Sequence, residues 1–314
     1  MKSSWSKIAF AAVGAAAIAA VALPAQAKPM GDIRIDDVAV FPESMSAAPN
    51  GAIYIGSAKG IVYRAAPGAY WAQAWIRPTA ENGILQILGV LTDAPRHTLW
   101  LCSIPSTTRP GASALIGFDL KSGKQMGVYP FPSGGVCNDI TIAKDGTLYV
   151  TDTSGGRILT LKRGAKALEV FAEDARLKGI DGIVFGGDGI LYLNIVTKGQ
   201  LMRVDRGKDG AMTGLTELQL SQPVAAPDGF RLIARNRFLL AEGASGRIDE
   251  VVITGDKAEI KVLKEGLISP PAVTLLGRTA YGLEGKVNYL RDPKLKGQSP
   301  EPFIVHAIPL PKGD

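Results

Sequence analysis

Four oxygen-bearing side chains recur at one spacing. Glu43, Asn138, Asp181 and Asp228 each stand eleven residues before a large residue: Tyr54, Tyr149, Tyr192 and Leu239 respectively. Three carboxylates and an amide brought to one place repel one another unless something neutralises them. A hard divalent cation does so, and Ca²⁺ accepts such a set of carboxylate, amide and water oxygens most readily. Mn²⁺, Mg²⁺ or Zn²⁺ can substitute, although the set holds no His or Cys to favour a zinc or copper site built on softer ligands. The alternative is a polar tunnel filled with hydrogen-bonded water.

Such a set works only if the fold carries the four residues to one point. Helical periodicity is scarce after residue 27, where short Val/Ile/Leu/Tyr runs alternate with Gly, Asn-Gly and Asp-Gly turns. That pattern predicts hairpins of antiparallel sheet. The stretches "ESMSAAPNGAIYIGSAKGIVYR" (43–64), "GVLTDAPRHTLWLCS" (89–103), "NDITIAKDGTLYVTDTSGGRILTL" (138–161), "DGIVFGGDGILYLNIVTKGQLMRV" (181–204), "DGFRLIARNRFLLAEGASGRIDEV" (228–251) and "PPAVTLLGRTAYGLEGKVNYL" (270–290) share one layout. Each has a strand, a tight turn and a second strand. In most, a second turn at Gly60, Gly156, Gly199 or Gly246 then leads to a third.

Anchored on Tyr54, Trp100, Tyr149, Tyr192, Leu239 and Tyr281, these segments lie 42 to 49 residues apart, the length of a four-stranded propeller blade. The expected fold is therefore an all-β, six-bladed β-propeller with an axial metal site, in preference to a pair of β-sandwiches. Eleven residues before each anchor, at the start of the innermost strand, stand Glu43, Gly89, Asn138, Asp181, Asp228 and Pro270. Inner strands line the channel of a propeller, so these six positions converge at one mouth.

Asp152, Glu242 and Glu284 each follow an anchor by three positions, where the second strand returns to the same face. They are expected to rim the mouth, orient water or touch a substrate, or else to be solvated charges at hairpin ends. Cys102 and Cys137 fall on neighbouring blades and form either one disulfide or two buried thiols. His97 falls in a turn at the opposite face and His306 in the C-terminal run "PFIVHAI", so neither is expected at the mouth. A His proton relay is not expected there, and no G-x-S-x-G supports a serine triad.

Residues 1–27 combine Lys2 and Lys7, an apolar run from Ile8 to Leu23, and Ala25-Gln26-Ala27. They are expected to form a secretory signal peptide cleaved after Ala27, with the periplasm or the exterior as destination and no membrane anchor afterwards. Residues 28–314 are then one domain. Without the leader, the formal charge of +6 falls to +4, spread along the chain with no basic stripe, so a nucleic-acid partner is not expected.

In this register, "CNDITIAKDGTLYVTDT", "GIDGIVFGGDGILYL" and "APDGFRLIARNRFLLAE" resemble the SMP-30/gluconolactonase family of six-bladed propellers. The resemblance covers nearly the whole mature chain and is carried by Glu43, Asn138, Asp181, Asp228 and the blade rhythm. It implies an axial divalent metal on these four residues, lactone hydrolysis, and Asp228 as the base that takes a proton from water. The chain departs from the family pattern at three places. Ser44-Met45 follow Glu43 where Gly-Pro is common, Asp181 stands where Asn is usual, and Val136 stands where sugar-lactone enzymes often carry Arg. Gluconolactone is therefore not the preferred substrate. The expected activity is ring opening of a lactone or related ester. The alternatives are a non-catalytic, metal-stabilised binding or scaffold propeller, and strictosidine-synthase-like bond formation leaning on Glu242 or Glu284.

Overall fold

The structure, a computed structural model, describes Met1 and residues 31–295, 297–298 and 300–311. Residues 2–27 of the expected leader, with its cleavage site, lie outside the described residues. Among the described residues, no helix is long and apolar enough to cross a membrane.

Short β-rich runs separated by Gly turns become antiparallel sheets. Gln86–Asp93, Thr98–Ile104, Ala114–Asp119 and Gln125–Pro130 form one four-stranded sheet in chain order. Cys137–Ile142, Leu148–Asp152, Arg157–Leu161 and Glu169–Glu173 form a second, and Ile180–Phe185, Leu191–Ile195, Gln200–Arg206 and Met212–Glu217 a third. In the fourth, Pro227–Ala234, Arg237–Glu242, Arg247–Thr254 and Lys257–Lys264 are joined at the outer edge by Gln219–Leu220. The hairpin turns reuse one device. Asn50, Asp145 and Asp188 each accept, through the side chain, the backbone N–H two residues on. The intervening Gly51, Gly146 and Gly189 adopt the positive φ that such turns require.

The remaining strands form one eight-stranded sheet from both ends of the chain. Its first half runs Pro42–Ala47, Ile53–Ser57, Val62–Ala65, Trp71–Ile76; its second half runs Ala272–Leu276, Thr279–Leu283, Ile304–Pro309. Ile33–Ile35 joins them, antiparallel to Ile304–Pro309 (Ile33 opposite Val305) and parallel to Trp71–Ile76 (Arg34 opposite Trp71). Both ends of the described chain thus contribute strands to the same sheet.

The first strands of successive sheets adjoin one another, and the Ala272–Leu276 strand returns to Pro42–Ala47, so the arrangement is cyclic. The core is a set of apolar layers between neighbouring sheets. Tyr54 and Val62 pack with Ile87, Leu99 and Phe118; Trp100 and Leu115 with Ile140 and Val150; Leu239 and Ile248 with Val273 and Ala280. All six anchors are buried, at 0 to 9% exposure. A large residue recurs there because adjacent sheets diverge outward and the wedge between them must be filled. Tyr149, for example, meets Phe171 and Phe185 edge-on, each with its ring centroid 5.1 Å away.

Candidate functional site

Five first strands carry a β-bulge near their beginning. Pairing shifts between Pro42 and Ser44, Ile87 and Val90, Cys137 and Ile140, Ile180 and Ile183, and Pro227 and Phe230. The extra residue in each case falls at or beside Glu43, Gly89, Asn138, Asp181 or Asp228. A bulge breaks the strict alternation of a strand and re-aims a side chain. Here it turns the four oxygen residues toward one cavity of about 270 Å³, which Glu43, Asn138, Asp181 and Asp228 all line.

A bulge leaves backbone groups without ladder partners, and buried ones must be satisfied elsewhere. Two polar residues in otherwise apolar second strands do this. The Thr151 hydroxyl accepts the Asp139 N–H at 2.8 Å and donates to the Asp181 carbonyl at 3.0 Å. Asn194 accepts the Gly182 N–H at 3.1 Å and donates to the Asp228 carbonyl at 2.6 Å. Each therefore mends the bulge in its own sheet and fixes the bulge of the next. The sheets also approach so closely that a Cβ on Gly89 would lie 2.1 Å from the Asn138 carbonyl oxygen, and one on Gly182 would lie 2.3 Å from that of Asp228. Asn138 donates to Thr153 Oγ1 at 2.9 Å, and that hydroxyl donates to the Ile180 carbonyl at 2.7 Å.

Charge is the dominant feature of the cavity. Burial, followed by the charges of Asp139 and Glu43, pushes the Asp181 carboxyl up to about 7. Burial, then Asp181 and Glu43, raises Asp228 well above the ordinary carboxylate range. Asp228 lowers Asp181 while Asp181 raises Asp228, so the two neighbouring carboxyls favour keeping a proton over carrying two charges. Among the described residues, no three His, Cys, Asp or Glu side chains stand as a ready-made metal site. Proton sharing is the other solution to the repulsion that a cation would relieve. The donor set therefore suits a hard cation in chemistry and charge, provided that the cation displaces this proton.

Beneath the pair lies an ion pair that the sequence reading missed. Arg231 donates to both oxygens of Asp139, at 2.7 and 2.8 Å, and Asp139 also accepts the Ile183 N–H at 3.1 Å. It is the one basic side chain among the described residues that line the cavity, and its fork is committed to Asp139. The available signal was a charged residue three positions after Asp228 on an inner strand, together with Asp139 directly after Asn138.

Asp152, Glu242 and Glu284 do not rim the mouth and are not solvated. They are 0, 1 and 8% exposed, and none lines the cavity. Each instead accepts a backbone N–H from the loop that leads into its own sheet: Val136 to Asp152 at 2.9 Å, Ala225 to Glu242, and Ile268 to Glu284 at 3.1 Å. Asp152 is also paired with Arg157, and Ser245 donates to Glu242 at 2.9 Å. The strand-end acid turns back because the incoming loop presents an orphan donor over it. Glu284 is held below the ordinary range: burial opposes this, but His306, 3.6 Å away, and the Ile268 N–H outweigh it. His97 caps the 3₁₀ turn Ala94–Arg96 between two strands, and neither His lines the cavity. Cys102 and Cys137 form a disulfide, with Cα atoms 5.1 Å apart, that joins two sheets beside Asn138.

No protein-family model matches the chain, and no curated protein matches it. Solved structures do. A candidate gluconolactonase aligns with a TM-score of 0.65 at 15% identity, covering 90% of this chain and 94% of that one. An aldose sugar dehydrogenase from Streptomyces coelicolor, in its PQQ-bound form, aligns at 0.60 with 15% identity, covering 90% and 99%. A virginiamycin B lyase from Staphylococcus aureus aligns at 0.59 with 16% identity, covering 78% of each chain. The fold is a β-propeller. At these identities the likeness establishes architecture alone, and the three neighbours carry three different descriptions, so function must be argued from the cavity.

Proposed function

We propose that the chain is a six-bladed propeller of the SMP-30/gluconolactonase type that holds a divalent cation on Glu43, Asn138, Asp181 and Asp228 and hydrolyses a lactone or related ester. The six blades are the four separate sheets and the two halves of the eight-stranded sheet. The observation that carries the reading is the bulge register, which turns four oxygen side chains from separate sheets into one cavity. Ca²⁺ fits best, with Mn²⁺, Mg²⁺ or Zn²⁺ as substitutes. When bound, the cation supplies Lewis acidity toward the substrate carbonyl.

The chain's own part is proton handling. Asp228, freed of the proton it shares with Asp181, accepts a proton from water as the water oxygen bonds to the carbonyl carbon. The carbon–oxygen bond of the ring then breaks, the proton passes to the leaving oxygen, and a hydroxy acid results. Thr153 orients Asn138, and Arg231 keeps Asp139 out of the ligand set. The disulfide fits an exported protein, periplasmic or secreted after cleavage at Ala27.

A second reading, the metal-stabilised scaffold, draws on the same residues. Thr151 and Asn194 tie the backbone of Asp181 and Asp228 to neighbouring sheets, so a cation there would lock the ring. Strictosidine-synthase-like chemistry loses its candidates, since Glu242 and Glu284 are occupied by loop N–H groups outside the cavity. The deciding experiment is elemental analysis of purified protein, coupled to a lactone and ester panel with and without chelator. Cation-dependent turnover lost in Asp228→Ala supports the hydrolase. Bound cation, a chelator-sensitive melting temperature and no turnover on the panel favour the scaffold.

A further inference from the structure

The cavity does not end on the axis. A second hollow of about 470 Å³ opens from it and shares Glu43, Val196, Asp228 and Pro271 with it. It extends to one side only, for a reason visible in the topology. Between second and third strands the chain usually crosses in a short turn, as at 58–61, 153–156, 196–199 and 243–246. Between Thr279–Leu283 and Ile304–Pro309 it instead runs through 284–303, carrying the short helix Asn288–Arg291. Val287 and Asn288 from this excursion wall the hollow on one side; Ala226 and the Gly243-Ala244 turn bound it elsewhere.

Its chemistry is uneven. Val196, Pro271, Ala226, Ala244 and Val287 give it alkyl walls, and of its neutral polar residues Ser269 donates to Asn288 at 3.4 Å. No basic side chain among the described residues lines it, while Glu43 and Asp228 stand at its inner end and Asp292 also borders it. A substrate anion would meet three carboxylates. A polyhydroxylated ring would meet more alkyl wall than hydrogen-bond partners, and each hydroxyl left unpaired would weaken binding by about tenfold or more. An apolar substituent loses nothing there and leaves water behind.

We propose that the side hollow seats the apolar substituent of an uncharged lactone or ester whose carbonyl lies over Glu43 and Asp228, and that it excludes anionic and sugar-derived substrates. The proposal rests on the hydrolase reading and adds its substrate class. The test uses the full chain loaded with Ca²⁺ and γ-lactones bearing butyl, hexyl or octyl chains, alongside gluconolactone. The expected kcat/KM climbs about two- to fourfold per added methylene until the hollow is filled, and exceeds that for gluconolactone throughout. Ala244→Phe, on an exposed turn, should fill the hollow and flatten the climb. A flat alkyl series, or gluconolactone turned over as well as the octyl lactone, overturns the proposal.

If no lactone is opened, the hydrolase reading fails separately. The hollow is then judged by calorimetry with 2-alkylcyclopentanones, which present a ring carbonyl that water cannot open. Affinity that rises with chain length in the wild type but not in Ala244→Phe supports the proposal; affinity independent of chain length overturns it.

Discussion

Replacing Asp228 by asparagine should shift stability in opposite directions with and without cation. Asp181 is raised from 3.8 to about 7 by burial and by neighbouring carboxylates, and it shares a proton with Asp228. Between those values the native pair keeps a proton that the unfolded chain has released. The native state binds more protons there, so cation-free stability falls as pH rises through that window, and it goes on falling for as long as Asp228, itself raised well above its ordinary range, keeps a proton. A shift of about three units corresponds to on the order of 4 kcal/mol, an upper bound because water in the cavity screens part of it. Asparagine offers Asp181 an amide donor without contributing a charge. In chelator at pH 8, Asp228→Asn should therefore be more stable than wild type by about 1–3 kcal/mol, with a smaller difference at pH 5. With saturating Ca²⁺ the order should invert, since the wild type gains binding free energy that the variant largely loses. Urea unfolding at both pH values, with and without Ca²⁺, reads all four numbers. The difference between the proteins isolates the pair, because Asp249, raised to about 8 by burial and Glu242, titrates in both. A variant less stable than wild type in chelator at both pH values would refute the account of the cavity as a site of carboxylate repulsion.

Asp152→Ala should destabilise by about 3–5 kcal/mol in urea unfolding, since it strands Arg157 and orphans the Val136 and Gly155 N–H groups. A loss below about 1 kcal/mol would mean that the loop is held by other contacts. The double variant Cys102→Ser, Cys137→Ser should lose about 3–4 kcal/mol, given the sequence separation of 35. It should also bind Ca²⁺ several-fold more weakly by calorimetry, because Cys137 precedes Asn138; an unchanged affinity would uncouple the bridge from the site.

The repeat was legible because blade sheets keep nearly fixed strand and turn lengths. A spacing of eleven residues from Tyr54 or Tyr149 could therefore locate Glu43 and Asn138 without knowledge of any contact. The bulges were not legible, since no side chain encodes the added residue, although Gly182 and Gly229 after Asp181 and Asp228 hinted at close backbone approach. Asp152, Glu242 and Glu284 show the limit of register. Their position along the strand was right and their direction wrong, because sequence does not reveal that the incoming loop lays an N–H over each. The Arg231–Asp139 pair was hidden for another reason: its partners are 92 residues apart and skip a whole repeat. Thr151 and Asn194 had a readable sign, a polar side chain two positions past the anchor in a buried strand.

The strand Ile33–Ile35 has a consequence for how the protein is made. It lies between Trp71–Ile76 and Ile304–Pro309, so one edge can pair early in synthesis while the other waits for a strand far along the chain. Until then the Pro42–Ala47 strand lacks its neighbour Ala272–Leu276, and the circle around the carboxylates stays open. The nascent chain can stack sheets one by one, but the cavity exists only once the two ends have met. Closing the cavity thus depends on a pairing that spans the whole ring rather than on any single sheet.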